Sequence, residues 1–317
     1  MREYKQDATH FWKTYSLLNS SSFMKGQEQP KANVCRYCKK DATQTSFTDA
    51  THLMPELLGA NKIYTYDECD ACNHLFSKYE SHLSTFIRPF MTLLGIETKR
   101  GVPWFQSRSI DRDPLTVTSL KHQPDGRRAL EVGPDDDLEI DVDNNIMSIL
   151  FRHPPFIPLH IYKALVKIGM SLLPADFDVH SQGTFDWLVN DNVDLGFISY
   201  GFMTTLTQSY VQVPSAELYR ANSLRNKKEE FPEYTLILRF ANQVFQIFLP
   251  FTDELKAVHV SKRNLAIELL PPMVYDRWRG GAHYQIKPFA FGIDHSITPD
   301  QRLYFKFNSI EWHKDGK

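Results

Sequence analysis

The sequence predicts an α+β protein in two parts, a short zinc-stabilised module near the N-terminus and a larger α+β domain with an antiparallel sheet. Three observations predict it. All four cysteines fall in two Cys-x-x-Cys pairs, Cys35/Cys38 and Cys69/Cys72. Directly after the second pair, Leu75, Phe76, Tyr79, Leu83 and Phe86 recur at three- and four-residue steps, the stripe of an amphipathic helix. Far downstream, Tyr234–Phe240 and Val244–Leu249 are β-branched and aromatic runs joined by Ala241-Asn-Gln, the pattern of paired strands. With 317 residues, 42% of them hydrophobic and 13% aromatic, the chain is folded and long enough for two domains. The expected division is a helical N-terminal extension over 1–32, the cysteine module over 33–95 and the α+β domain over 105–317.

The cysteine spacing suits a structural zinc ion. Such an ion takes four ligands tetrahedrally, and two intervening residues let both sulfurs of a pair turn toward it. The other reading is two disulfides. A polar start from Met1 to Asp7 carries no secretion signal, which sets the thiols in a reducing cytoplasm and favours the metal. A redox Cys-x-x-Cys would occur once, beside a strand-helix unit.

Between the pairs, Ser46-Phe47-Thr48 reads as a short strand leading to His52. Pro55 and Gly59 interrupt regular structure, and a loop runs from Asn61 to Tyr66 with room for a second strand. From Asp70 the pattern is helical, with Asn73 in the first turn. The order is strand, loop, strand, knuckle, helix.

These residues resemble the HNH endonucleases of the ββα-metal type, in the branch with two zinc knuckles. The resemblance is carried by Cys35-Arg-Tyr-Cys38, His52-Leu-Met-Pro55-Glu56-Leu-Leu-Gly59, and Asp67-Glu-Cys69-Asp-Ala-Cys72-Asn73, with Phe76 and Glu80 following. It covers roughly residues 33 to 90. It implies a zinc ion that is scaffold only, since four thiolates leave no open position. It implies His52 as general base toward water, a role suited to an imidazole near neutral pH. It also implies Asn73 as ligand or orienter of a catalytic magnesium or manganese ion at the scissile phosphate. Asn73 would equally cap the helix. Asn61 corresponds to the asparagine that ties the loop in this family, and His74 and His82 read as surface helix residues.

The sequence departs from the family at Thr51, where an acidic or histidine ligand is usual. A hydroxyl is a poor substitute around a hard cation. Three carboxylates stand nearby in sequence: Asp49 on the same strand face, Glu56 after the motif proline, and Glu80 two helical turns beyond Asn73. Glu80 is the preferred substitute. Thr51 also admits a catalytically inactive, zinc-stabilised nucleic-acid-binding protein as the alternative.

The implied partner is DNA, with RNA as the other substrate the motif allows. The net charge of −2 and pI near 6.6 argue against a protein that coats DNA. Only small basic clusters occur, at Lys39-Lys40, Lys99-Arg100 and Arg225 with Lys227-Lys228. No apolar run is long enough for a membrane span, so no membrane partner is expected. A homodimer would suit double-strand cutting.

Beyond the module, Pro89 to Phe105 reads as a turn-rich connection. Leu115–Thr118 and Ala129–Val132 read as strands around a Pro124-Asp-Gly126 turn. The acidic alternation of Asp135–Asp143 suits an exposed edge strand. Ile161, Leu165, Ile168 and Leu172 mark a core helix ending before Pro174, Phe177–Leu188 holds a further short helix, and Asn222–Pro232 is a polar loop. No motif names a ligand for this part. By analogy of architecture it would target, sense or oligomerise, with a small-molecule or protein activator controlling the module as in bacterial anti-phage effectors.

Overall fold

The computed structural model describes residues 9–26, 32–108, 117–122, 128–131, 138–174, 182–190, 199–206, 210–224, 229–250, 264–271 and 284–306. The Pro124-Asp-Gly126 turn and the Arg225/Lys227-Lys228 cluster lie outside them. In chain order the elements are α1 (Thr9–Thr14), β1 (Tyr15–Ser20), α2 (Ser21–Met24), β2 (Thr51–His52), a 3-10 turn (Glu56–Leu58), β3 (Tyr64–Thr65) and α3 (Asp70–Leu94). Strands β4 (Phe105–Arg108), β5 (Val117–His122), β6 (Arg128–Glu131), β7 (Leu138–Asp141) and β8 (Ile146–Arg152) follow, then helices α4 (Pro158–Ser171) and α5 (Gln182–Val189). The chain continues with β9 (Tyr200–Leu206), β10 (Val211–Ala221), β11 (Glu229–Glu230), β12 (Tyr234–Ala241), β13 (Gln243–Phe248), β14 (Asn264–Leu265), β15 (Tyr284–Ala290) and β16 (Asp300–Lys306).

The architecture is mixed α+β around one large antiparallel sheet of order β1-β10-β12-β13-β9-β15. Its centre is the expected pair, with Thr235 opposite Phe248 and Phe240 opposite Gln243. Ala241 makes the tight turn at φ 48. The acidic β7 is an edge of the three-stranded sheet β16-β8-β7, where like charges discourage further pairing.

The N-terminal segment differs from the expected helical extension. It holds two short helices and, between them, a strand that forms the outer edge of the main sheet against β10. Aromatic burial explains this: Phe11 and Tyr15 are buried, the Phe11 and Tyr219 rings meet at 5.3 Å, and the Tyr15 hydroxyl donates to the Pro232 carbonyl at 3.0 Å.

Helix α3 also runs further than expected, passing through Pro89 to Leu94. A proline removes one backbone donor inside a helix. Phe86, Ile87, Phe90 and Met91, all buried on the same stripe, offset that loss. The helix stops at Gly95, whose φ of 66 is a left-handed cap, with its N–H reaching back into the last turn.

Helix α3 packs on α4, and one continuous core joins the two expected parts. It includes Leu53, Met54, Phe76 and Leu83 from the cysteine module together with Leu165, Ile168, Leu236 and Phe245. No helix among the described residues is long and apolar enough to cross a membrane.

The module also meets the main sheet at Gly59. Its φ of 128 belongs to glycine, and a Cβ there would lie 3.1 Å from Pro214 Cδ and 3.2 Å from the Gln212 carbonyl oxygen of β10. Gly59→Ala is therefore expected to lower unfolding stability by about 2 kcal/mol through backbone strain and this close approach, read as a reduced urea midpoint with unchanged m-value.

Candidate functional site

The first knuckle is a tight turn. Lys39 adopts φ 60 and donates its N–H to the Cys35 carbonyl at 3.0 Å, while Cys35 N–H reaches the Lys40 carbonyl at 2.8 Å. The second knuckle is the start of α3, with Cys69 at the N-cap and Cys72 in the first turn. The four sulfurs lie within 4.8 Å of one another, with Cys35–Cys72 at 3.8 Å and Cys38–Cys69 at 3.7 Å. A disulfide would bring a pair to about 2.05 Å. Zinc held at about 2.3 Å by four thiolates needs tetrahedral edges of about 3.8 Å. The donor set and its spacing fit, so the cluster could hold a zinc ion. Cys35 is pulled down to about 5, first by its hydrogen bond with Cys72 and then by backbone N–H groups, and Cys72 is pushed up correspondingly.

The segment over 46–49 is not the expected strand. Asp70, at the head of α3, accepts from the Thr48 N–H at 2.9 Å, the Thr48 hydroxyl at 2.6 Å and the Asp49 N–H at 2.9 Å. Its own N–H donates to the Ser46 carbonyl at 2.9 Å. Local hydrogen bonds to one carboxylate replace a ladder. Burial opposes the Asp70 charge, but the bonds from Ser46, Thr48 and Asp49 outweigh it and hold the carboxyl well below its ordinary value.

This clamp sets Asp49 beside Asn73, whose Nδ2 donates to Asp49 Oδ2 at 3.2 Å. Glu80, the preferred substitute ligand, is elsewhere. Its charged neighbours are Lys167 and Glu68, and burial raises its pKa. The helical period was right and the distance wrong: seven residues carry a side chain about 10 Å along the axis. The carboxylate that meets Asn73 is Asp49.

His52 lies on the two-residue strand β2, opposite Tyr64 of β3. Thr51 is 2% exposed and its hydroxyl donates to the Thr65 carbonyl at 2.7 Å. Adjacent strand residues face opposite ways, so the His52 ring lies on the other side, 4.6 Å from the Tyr64 ring. His52 Nε2 stands 3.5 Å from Glu56 Oε1, and Lys99 Nζ stands 3.4 Å from Glu56 Oε2. Thus His52 and Asn73 occupy separate contact sets, Glu56, Asn61 and Tyr64 for the first and Asp49 for the second.

Asn61 ties the loop between them, donating through Nδ2 to the Met54 carbonyl at 3.2 Å and the Gly59 carbonyl at 3.1 Å. Asn61 also stands beside the imidazole, where its Oδ1 and His52 Nδ1 are both buried with no hydrogen-bond partner. Burial lowers the His52 pKa, and this outweighs the raising effects of Glu56 and Asn61; Lys99 and Lys167 add to the lowering. A pocket of about 230 Å³ opens on the Thr51 side, lined by Phe47, Asp49, Thr51, Tyr64, Tyr66 and Glu68.

Compared with protein-family models, curated proteins and solved structures, the chain matches none.

Two polar contacts made through α4 were missed by sequence reasoning, the first of them at the site. Lys167 of α4 pairs with Glu68 at 3.1 Å, both side chains almost fully buried. The available signal was Lys163 and Lys167, one turn apart on a helix whose other faces are apolar. His82, expected at the surface, accepts the Ile157 N–H at 3.1 Å and so caps the start of α4.

Purified protein should carry a single zinc ion per chain by elemental analysis. Cys69→Ser should lose it and drop the melting temperature of the whole chain, since structural zinc contributes on the order of 10 kcal/mol in zinc-finger peptides and the core here is shared.

Proposed function

We propose that the chain is a metal-dependent HNH-type endonuclease hydrolysing phosphodiester bonds in DNA, with His52 as general base. The observation that carries the reading is a half-buried imidazole whose neutral form is favoured, on a strand beside a four-cysteine knuckle pair. The neutral ring would take the proton of an attacking water. Lys99, exposed beside Glu56, supplies a local cation for a phosphate despite the chain's net negative charge.

Asp49 and Asn73 are the residues that would hold a catalytic ion, although they meet each other apart from the His52 ring, whose own carboxylate neighbour is Glu56. Both offer hard oxygen donors, and magnesium or manganese commonly uses one or two protein ligands with water and substrate phosphate completing the shell. When bound, such an ion neutralises charge developing at the scissile phosphate and leaving oxygen. Among the described residues the four cysteines are the only larger group of metal-capable side chains.

One observation favours a second reading, a zinc-stabilised nucleic-acid-binding protein without cleavage activity. The Thr51 hydroxyl, at the family's usual ligand position, is committed to Thr65.

Plasmid incubated with magnesium or manganese should be nicked by the wild type. His52→Ala should cut about 10²- to 10⁴-fold more slowly, the range of a lost general base, and Asp49→Ala should lose the metal-stimulated cutting. A wild type that retards DNA on a gel without cutting it supports the second reading.

The pH profile has a defined sign. A lowered imidazole pKa means the base is lost only when pH falls below a value itself under the ordinary figure of about 6.5. Glu56 raises that pKa, so Glu56→Gln should move the acidic limb of kcat/KM to still lower pH.

A further inference from the structure

We propose that Lys167 is a positioning residue for His52, an ammonium delivered by α4 from outside the cysteine module that fixes the strand bearing the imidazole; this rests on the nuclease reading. Lys167 Nζ donates to the His52 carbonyl at 2.8 Å and pairs with Glu68 Oε2 at 3.1 Å. The two side chains are 3% and 0% exposed.

The backbone geometry explains why that carbonyl needs a partner. Strands β2 and β3 contribute two residues each, and Leu53 N–H bonds the Ile63 carbonyl at 2.9 Å. In an antiparallel ladder alternate residues turn their N–H and C=O groups outward. The alternation therefore points the His52 carbonyl away from β3, toward α4. A ribbon this short does not hold itself in water, and the ammonium supplies the missing outer bond.

The same Nζ grips Glu68, the residue before Cys69. One side chain thus spans from the imidazole strand to the second knuckle. Burial works against its charge, and the carboxylates of Glu68, Glu80 and Asp67 outweigh it, so the group remains an ammonium. The Phe76 ring, 6.0 Å away, closes its remaining side.

The consequence is that the His52 site is complete only with α4 in place. A displacement of α4 along α3 reaches the imidazole through one hydrogen bond and one peptide unit. Misplacement of a reacting group by about 1 Å can cost about 10²-fold in rate.

The test compares full-length Lys167→Met, Lys167→Arg and the double variant Lys167→Met/Glu68→Leu with wild type. Three readouts are taken: zinc content, kcat and KM on plasmid DNA, and the His52 ring resonances by NMR. The double variant removes both charges of the buried pair and leaves only Glu80, which burial disposes toward its neutral form, so it carries the measurement if Lys167→Met alone does not fold. The expected result is full zinc content, unchanged KM, and kcat lower by about 10- to 100-fold. The His52 resonances should shift, its pKa should rise on losing a nearby cation, and Lys167→Arg should recover part of the rate. A zinc-loaded double variant with wild-type kcat and unmoved His52 resonances overturns the proposal. If the wild type does not cut, the nuclease reading fails, and the resonances still decide: unmoved, they overturn the positioning role, and shifted, they support it.

Discussion

A ribbon of two residues per strand has too little ladder and too little apolar area to persist alone, so the geometry around His52 depends on what clamps it from outside. The four-sulfur cluster is the first clamp. It joins the turn at Cys35–Cys38 to the head of α3, and every other contact at the site is measured from that fixed corner. Asp70 can gather the 46–49 segment only because Cys69 and Cys72 fix where α3 begins. Arg36, held between the cysteines of the first knuckle, extends the corner to α4. Its guanidinium meets Asp67 at 2.6 Å and the Met170 and Leu173 carbonyls at 3.0 and 2.7 Å, at the end of α4 where a cation suits the helix dipole.

The second constraint is charge without water. Glu68 and Lys167 face each other in a core that also contains Leu53, Phe76 and Leu165. A buried pair of this kind adds little net stability, but removing one partner typically costs about 3–5 kcal/mol because the other charge is stranded. Such a pair makes one arrangement much better than its neighbours. It discourages sliding of α4 against the module more than it strengthens the fold. Burial, the first cause, pushes the Glu68 pKa up to about 7 even with the ammonium beside it.

Local features were legible in the sequence and long-range ones were not. The knuckles followed from cysteine spacing, α3 and α4 from apolar period, and the β12–β13 pair from two β-rich runs around a short turn. Each signal lies within a few residues of what it specifies. The strand expected at 46–48 failed because Thr48 and Asp49 found a better local partner in Asp70. Pro89 was read as a stop, yet four buried apolar residues around it carry the helix on. The edge strand β1 depends on Tyr219 and Pro232, about two hundred positions away along the chain. That Asp49 and not Glu80 meets Asn73 needed a distance along the helix axis, which periodicity does not supply. Lys167 was hidden for the same reason, its acceptor standing 115 positions upstream.

The imidazole itself illustrates how these constraints combine. A histidine beside a carboxylate such as Glu56 would ordinarily be held protonated, useless as a base at neutral pH. Here the ring is half withdrawn from water against Tyr64, and the cations of Lys99 and Lys167 act on it in the opposite sense. Lys99 also engages the second oxygen of Glu56, which spreads the carboxylate's charge away from the ring. Burial, with the two cations, therefore outweighs Glu56 and Asn61, and the imidazole pKa falls below its ordinary value. Each of these groups comes from a different element: β3, the segment after α3, and α4. The chemistry available to His52 is thus a property of the shared core and its clamps, and the residues of the motif alone do not determine it.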